Sequence, residues 1–172
     1  MSLRGKVWRK INVEVAPDEG GAGQRIDVLE GPPLSHFGLP SAHELAAITL
    51  DYQVAQKFHA CTDPDDPPEF ENVRARDLVD LLLVRRAFYD SADLIPLSGA
   101  CRDIFAVRAA EALEQGHWPR PWPPTIVAHA RWRDEYANLA EKVGIESPFD
   151  DAAAELNRWI AEIDAVAASG RS

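Results

Sequence analysis

The sequence is poor in cysteine and has neither a long apolar run nor an apolar N-terminal segment. Cys61 and Cys101 lie far apart without a CxxC partner, so we expect two reduced residues in the core. No stretch approaches the roughly eighteen apolar residues that span a bilayer. Residues 1–8 do not resemble a signal peptide. These absences predict a cytoplasmic protein without disulfides.

Metal-ligand spacing is also missing among the histidines, which argues against a zinc site. Acidic residues outnumber basic ones, and the formal net charge is −10. Because the average surface would repel a polyanion such as RNA, nucleic-acid binding would need a local basic patch. Two clusters could supply one, although solvated surface is the simpler interpretation of each: residues 4–10, and Arg74, Arg76, Arg85 and Arg86.

The first 30 residues have the pattern of β structure. Residues 7–15 alternate between apolar and polar, and residues 25–29 predict a second short strand. The glycine-rich segment 18–23 predicts a turn or flexible loop, so the two strands could form a hairpin. Since two strands alone are marginal in water, we expect them to lie on another element or to belong to a larger sheet.

Beyond a connector rich in proline and glycine, the sequence becomes helical. We predict five helices, in chain order Thr49 or Asp51 to about Cys61, Asn72 to about Tyr89, Ser98 to Gly116, Thr125 to Val143, and Ser147 onward. The proline-rich segment 117–124 fits neither helix nor central strand. The prediction is an α+β fold: a small antiparallel β remnant with its connector (1–47), a five-helix domain (48–168) and a disordered tail (169–172).

The second predicted helix places two carboxylates beside an apolar stripe. Spacing of i, i+3 and i+4 puts these residues on one face: Asp77, Asp80, Leu81, Val84 and Phe88. Partly buried acids are costly unless they are paired or coordinated, so this face needs cations. The helix N-terminus contributes some positive potential, and the candidate side chains are Lys57, Arg74 and Arg76.

Lys57 lies at the edge of the apolar face of the first helix. Spacing alone favours a structural salt bridge, from Lys57 or Arg76 to one of the two acids. The functional alternative is a lysine that binds phosphate while an aspartate orients a nucleotide or metal. A further cluster could stack bases, but such residues more often fill joints between helices: Trp118, Trp122, Trp132 and Tyr136.

Two motifs resemble a known family signature. The segment LDYQVAQKFHA at residues 50–60, followed by RARDLVDL at residues 74–81, resembles the paired signature of the AbiEii/AbiGii-type nucleotidyltransferase toxins, of the form sleeqiAeKlhA…(R)xKDlyDl. Gln56 stands where Glu is usual, and Arg76 where Lys is usual. The segment RIDVLEGPPL at residues 25–34 resembles the strand and loop ahead of that signature. The resemblance extends over residues 7–165.

The resemblance implies a DNA-polymerase-β-like nucleotidyltransferase that uses Mg²⁺ and an NTP. Such a toxin transfers a nucleotidyl group to RNA or protein, belongs to a toxin–antitoxin or abortive-infection phage-defence system, and has a cognate antitoxin as partner. Matching by position, Lys57 contacts phosphate, Asp77 supports catalysis, Asp80 is the second acid of the motif, and the phosphate-binding set includes Arg74 and Arg76.

The metal-binding acids are the weak part of the match. An acid between apolar strand residues could be Glu14 or Asp27; Glu14 is favoured because KINVEV at residues 10–15 resembles the family's K-I-x-x-E-I strand. Either acid could instead face outward from its strand.

No Gly-Ser…Asp-x-Asp arrangement precedes Glu14, where only residues 1–13 are available. Since Mg²⁺ must neutralise the charge of phosphoryl transfer, we expect a truncated C-terminal portion that is not a competent enzyme alone. The alternative is a non-catalytic helical module that binds a protein partner. The first hypothesis predicts that Lys57 and Asp77 converge on an open cleft beside Glu14 or Asp27. The second predicts a buried ion pair without a cleft.

Overall fold

The computed structural model describes residues 18–40, 44–65, 70–90 and 93–169, with the backbone of residues 2–3 and 6–7. Within these ranges, four short strands precede the α-helices: β1 (Ser2–Leu3), β2 (Lys6–Val7), β3 (Ile26–Glu30) and β4 (Glu44–Ile48). The described helices are α1 (Leu50–Cys61), α2 (Ala75–Phe88), α3 (Ile95–Glu114), α4 (Arg133–Val143) and α5 (Phe149–Ser169). The α+β class is thus confirmed.

The strands form two antiparallel pairs, β1 with β2 and β3 with β4. In the longer pair the register runs from Ile26 opposite Ile48 to Glu30 opposite Glu44. The prediction of a strand at residues 25–29 is confirmed, whereas residues 8–17 of its expected partner lie outside the described residues. The predicted connector is wrong where it includes β4. The sequence ELAAI lacks period-two alternation, so its strand depends on pairing with β3 rather than on its own pattern.

The helices enclose one apolar core. Its largest fully buried side chains come from every helix but α4 and from the turn before α4: Phe58, Leu78, Leu81, Leu82, Leu97, Ile104, Phe105, Trp132, Leu156, Trp159 and Ile163. Cys61 and Cys101 are buried and unbonded, as expected, and burial raises the pKa of both thiols. No helix of the described residues is long and apolar enough to cross a membrane.

The predicted starts of the second and third helices are wrong. Asn72 does not cap α2; it is buried in the preceding loop, where its Nδ2 donates to the carbonyl of Asp63 at 2.8 Å. Its own carbonyl accepts from Trp132 Nε1 at 2.7 Å, so tertiary contacts use the polar groups of Asn72. Helix α3 begins three residues before Ser98, because Pro96 suits the first helical turn. Ser98 is therefore a buried residue inside the helix.

The fourth helix is shorter than predicted. It begins at Arg133, after a 3₁₀ turn at Ala130–Trp132, and residues 125–129 are not helical. The backbone of Ile126 bonds instead to the side-chain amide of Asn157 on α5, at 2.9 and 3.0 Å. The predicted stop at Gly144 is confirmed, with φ of +72°. Helix α5 continues through Ser169, so the predicted tail is wrong there, and residues 170–172 lie outside the described part.

The segment 117–124 is neither helix nor strand, as predicted. Trp132 and Tyr136 are buried, and Trp122 packs against Phe58 and Phe105, so the core interpretation holds for these three aromatic residues. It is wrong for Trp118, which is 93% exposed. Trp122 connects this segment to the core, whereas Trp118 faces solvent. Phe88 is likewise exposed, so the predicted apolar stripe of α2 ends before it.

Candidate functional site

The site begins with an ion cluster between α1 and α2. Lys57 Nζ on α1 donates to Asp77 Oδ1 at 2.6 Å and to Asp80 Oδ2 at 2.8 Å. The two aspartates are three residues apart on α2, which puts both carboxylates on the face toward Lys57. Arg74 Nη1 lies 3.7 Å from Asp77 Oδ2 on the other side. The salt bridge that spacing favoured is therefore present, with both acids on one lysine.

This cluster is partly open to solvent. The exposed fractions of the side chains are 29% for Lys57, 17% for Asp77 and 36% for Asp80. Partial burial acts to lower the pKa of Lys57, but the hydrogen bonds to both carboxylates outweigh it and raise that pKa. The ammonium therefore stays charged at every physiological pH. The cluster contains two cationic side chains, Lys57 and Arg74, and two anionic ones, so its charges balance.

An open cleft of about 530 Å³ lies beside this cluster. We call it the lysine cleft, and these residues of β4, α1 and α2 line it: Ala47, Ile48, Gln53, Gln56, Lys57, Ala60 and Asp77. An ammonium has three protons, and the two carboxylates use two of them. Lys57 thus keeps one donor that no described residue uses, on a charged group that borders open space. The ion pair and the cleft occur together.

The other predicted residues lie in different places. Asp27 is exposed on β3, directly opposite Ala47, and opposed residues of an antiparallel pair project from the same face. Asp27 is therefore on the ribbon face that carries Ala47 at the cleft wall. Arg76 is exposed and takes part in no ion pair among the described residues. Glu14 lies outside the described residues.

A second cleft, of about 660 Å³, adjoins the first and shares Gln56 and Ala60 with it. We call it the arginine cleft; its lining residues are Glu19, Gln56, His59, Ala60, Asp63, Arg74, Ile104, Arg108 and Arg120. They come from the loop 18–24, α1 and the loop after it, the N-cap of α2, α3 and the segment 117–124. Sequence analysis missed most of them, because residues so far apart leave no common local pattern.

The loop 18–24 holds Glu19 in this cleft. Gly21 N–H and the Tyr52 hydroxyl both donate to Asp103 Oδ2, at 2.7 and 2.8 Å, which fixes the loop on α1 and α3. Gly20 has φ of +61°, and a Cβ there would lie 2.6 Å from the same carboxylate oxygen. Only glycine fits this approach. Of the two predicted alternatives, a turn or a flexible loop, the turn is confirmed, and the hydrogen bonds to Asp103 hold it in place.

Glu19 is itself held on both carboxylate oxygens. Arg108 on α3 donates to one of them, and Gln56 Nε2 donates to the other at 3.1 Å. Only 15% of the Glu19 side chain is exposed. A nearly buried carboxylate with fixed partners presents its remaining lone pairs in one orientation.

Arg120 likewise holds the His59 side chain in one orientation. Its Nη1 donates to the His59 carbonyl at 2.7 Å, its Nη2 lies 3.1 Å from His59 Nδ1, and it pairs with Asp63 at 2.7 Å. Because a guanidinium can only donate, His59 Nδ1 is the acceptor and the ring proton lies on Nε2. Burial and the charges of Arg120 and Arg108 lower the pKa of His59 to about 3. His59 is therefore a neutral ring with one N–H.

The described residues do not fit a divalent metal ion. No group of three or more metal-ligating side chains occurs among them. Asp77 and Asp80, the two acids of the ion cluster, both bind Lys57, and Asp27 lies on the ribbon. Metal chemistry is accordingly assigned to none of these residues.

Comparison with known proteins accounts for these motifs. A family model described as "Nucleotidyl transferase AbiEii toxin, Type IV TA system" matches residues 5–155, which include both clefts. The match places the chain among the nucleotidyltransferase-type toxins of type IV toxin–antitoxin systems. The chain belongs to the AbiEii family. Such a system includes an antitoxin, and the family generally uses an NTP and a divalent metal. No curated protein matches the chain.

Proposed function

We propose that the lysine cleft binds the phosphates of an NTP, and that the toxin transfers a nucleotidyl group to RNA or protein. One observation carries the proposal. Lys57 Nζ borders an open cleft with a donor that no described residue uses, while two carboxylates hold it at 2.6 and 2.8 Å. A lysine that served only as a salt-bridge partner would not have to border an open cleft. A lysine held rigidly at a cleft wall suits phosphate binding, because its position is set before the ligand arrives.

Each residue of the cluster has its own part in this proposal. Lys57 binds phosphate, and Asp77 is a positioning residue, since it makes the shorter and less exposed contact. Asp80 supports the same ammonium. Arg74 reaches Asp77 from the arginine cleft and supplies a second cation, whereas Arg76 is exposed and would contact phosphate only at the rim.

Binding and turnover are separable in this proposal. The described residues provide phosphate donors but no metal-ligating cluster, so we expect them to confer nucleotide binding without transfer. Carboxylates such as Glu14 would have to complete the site. In this scheme residues 1–47 belong to the nucleotidyltransferase lobe and residues 48–168 to the helical domain.

Calorimetric titration with NTPs in Mg²⁺ buffer tests the proposal. We expect saturable binding to the wild type, and a loss of about tenfold or more in Lys57→Met, since a hydrogen bond from a charged donor is removed. Asp77→Asn should weaken binding less. Lys142→Met, at an exposed position of α4, is the matched control and should bind like wild type. A folded wild type that binds no NTP would contradict the proposal.

That contrary result would favour a non-catalytic module that binds a protein partner. The observation in its favour is that both acids already pair with Lys57, and that the charges of the cluster balance. In that case Lys57→Met would lower the stability of the fold, and neither the wild type nor the variant would bind a nucleotide.

A further inference from the structure

The arginine cleft is not a simple anion site, although three arginines line it. Each arginine already faces a carboxylate: Arg74 with Asp77, Arg108 with Glu19, and Arg120 with Asp63. An incoming phosphate would have to compete with these acids. The cleft therefore has no excess of cations to hold a second anion.

What the cleft does offer is a fixed set of neutral and acceptor groups. The neutral His59 ring lines it, and Nε2–H has no hydrogen-bond partner among the described residues. The Glu19 carboxylate provides acceptors, and the apolar side chains of Ala60 and Ile104 contribute to the wall. A planar ring whose edge has donors and acceptors and whose faces are apolar matches this lining. Nucleobases have such edges and faces.

The cleft is also continuous with the proposed phosphate site. Gln56 and Ala60 are one helical turn apart on α1, and both line both clefts. Lys57 and His59 lie on opposite sides of this Gln56–Ala60 row of α1, one at each cleft. A single ligand that crosses this row would place its phosphates at Lys57 and its ring at His59.

We propose that the arginine cleft is the subsite for the base of the nucleotide whose phosphates bind at Lys57. His59 Nε2–H is the donor to the base, and the Glu19 carboxylate is the acceptor. Arg120 is a positioning residue, since it fixes the His59 tautomer without being needed at the base. This inference rests on the proposed function, and it assigns base selection to residues outside the family signature's Lys–Asp pair.

Comparing the four NTPs with tripolyphosphate, which has no base, tests the subsite. We expect the wild type to bind the four NTPs with affinities that differ by about three- to tenfold, the effect of one hydrogen bond. His59→Phe keeps the ring contact with Phe105 but removes the donor, so it should reduce this spread. Glu19→Gln should change the order of preference. Tripolyphosphate affinity should stay unchanged in His59→Phe. The exposed His117→Phe is the control.

Nitrogen-15 NMR of the histidine rings gives a second readout that does not depend on variant stability. The His59 Nε2–H signals of the wild type should shift on adding the preferred NTP and stay in place with tripolyphosphate. Equal binding of all four NTPs and of tripolyphosphate, with unmoved His59 signals, would overturn the base subsite and leave the phosphate site intact. Failure of both NTP and tripolyphosphate to bind would defeat the proposed function and this inference together.

Discussion

Gln56 Nε2 donates a hydrogen bond of 3.1 Å to the carboxylate of Glu19, and so joins α1 to the loop that precedes β3. Position 56 is a place where the chain departs from the family signature, which usually has Glu there. A glutamate at this position would face the Glu19 carboxylate directly. The glutamine at position 56 thus suits the Glu19 carboxylate that lies opposite it in this chain.

Gln56→Glu should therefore lower the free energy of unfolding. The change replaces a hydrogen bond with two like charges at a partly buried site, which costs about 1–2 kcal/mol. Urea denaturation at neutral pH measures it. The exchanged pair, Gln56→Glu with Glu19→Gln, should recover part of the loss because one donor and one carboxylate again meet. Unchanged stability in Gln56→Glu would show that the two side chains do not share a site in solution.

The two aspartates on Lys57 should contribute unequally to stability. Asp77 is 17% exposed and 2.6 Å from Nζ, whereas Asp80 is 36% exposed and 2.8 Å away. We expect Asp77→Asn to cost about 1–2 kcal/mol and Asp80→Asn less than about 1 kcal/mol, since solvent screens the more exposed pair. Chemical denaturation of the two variants provides the comparison. Equal losses, or a larger loss for Asp80→Asn, would contradict the geometry of the cluster.

His59 should make the fold sensitive to mild acid. Its pKa is about 3 in the folded chain, lowered first by burial and then by Arg120 and Arg108, and about 6.5 when unfolded. The unfolded state therefore binds the extra proton between these values, and stability falls as the pH drops below about 6.5. One proton corresponds to at most about 1.4 kcal/mol per pH unit.

The difference between wild type and His59→Phe isolates this contribution from that of the carboxylates. We expect the wild type to lose stability more steeply than the variant between about pH 6 and pH 4.5. His117→Phe should follow the wild type. Parallel curves for wild type and His59→Phe would show that His59 titrates normally.

Two glycines should respond to alanine in opposite directions. Gly20→Ala forces a Cβ to within 2.6 Å of Asp103 at φ of +61°, and should destabilise the chain by about 1–3 kcal/mol. Gly99→Ala lies in α3 with nothing within 4 Å of its new Cβ, and should stabilise it by about 0.5–1 kcal/mol. Thermal unfolding of both variants tests the pair. A harmless Gly20→Ala would mean that the loop 18–24 is not held as described.

The ion cluster was predictable because its parts obey local periodicity. Spacing of i, i+3 on α2 determines that Asp77 and Asp80 share a face, and the apolar pattern of α1 puts Lys57 at its edge. The helix end at Gly144 follows from a single residue type with the required backbone freedom. In these cases the deciding interactions occur within a few residues of the chain.

Other features depend on partners that are distant in sequence. Asn72 has the composition of a helix cap, yet Asp63 and Trp132 use its polar groups. Residues 125–129 have helical residue types, yet Asn157 holds Ile126 in a non-helical backbone. Strand β4 has no alternation of its own and exists through β3. Each prediction failed where a tertiary hydrogen bond outweighed the local preference.

The sequence by itself determined the α+β class, the family, and the helix faces that carry Lys57, Asp77 and Asp80. The tertiary structure alone decided that Lys57 and Asp77 border an open cleft and that a second cleft adjoins it. Glu19, Arg108 and Arg120 come from three separate segments, and only packing of α1 against α3 and the segment 117–124 brings them together. Periodicity reports which face of its own helix a residue occupies. It contains no information about which distant segment will cover that face.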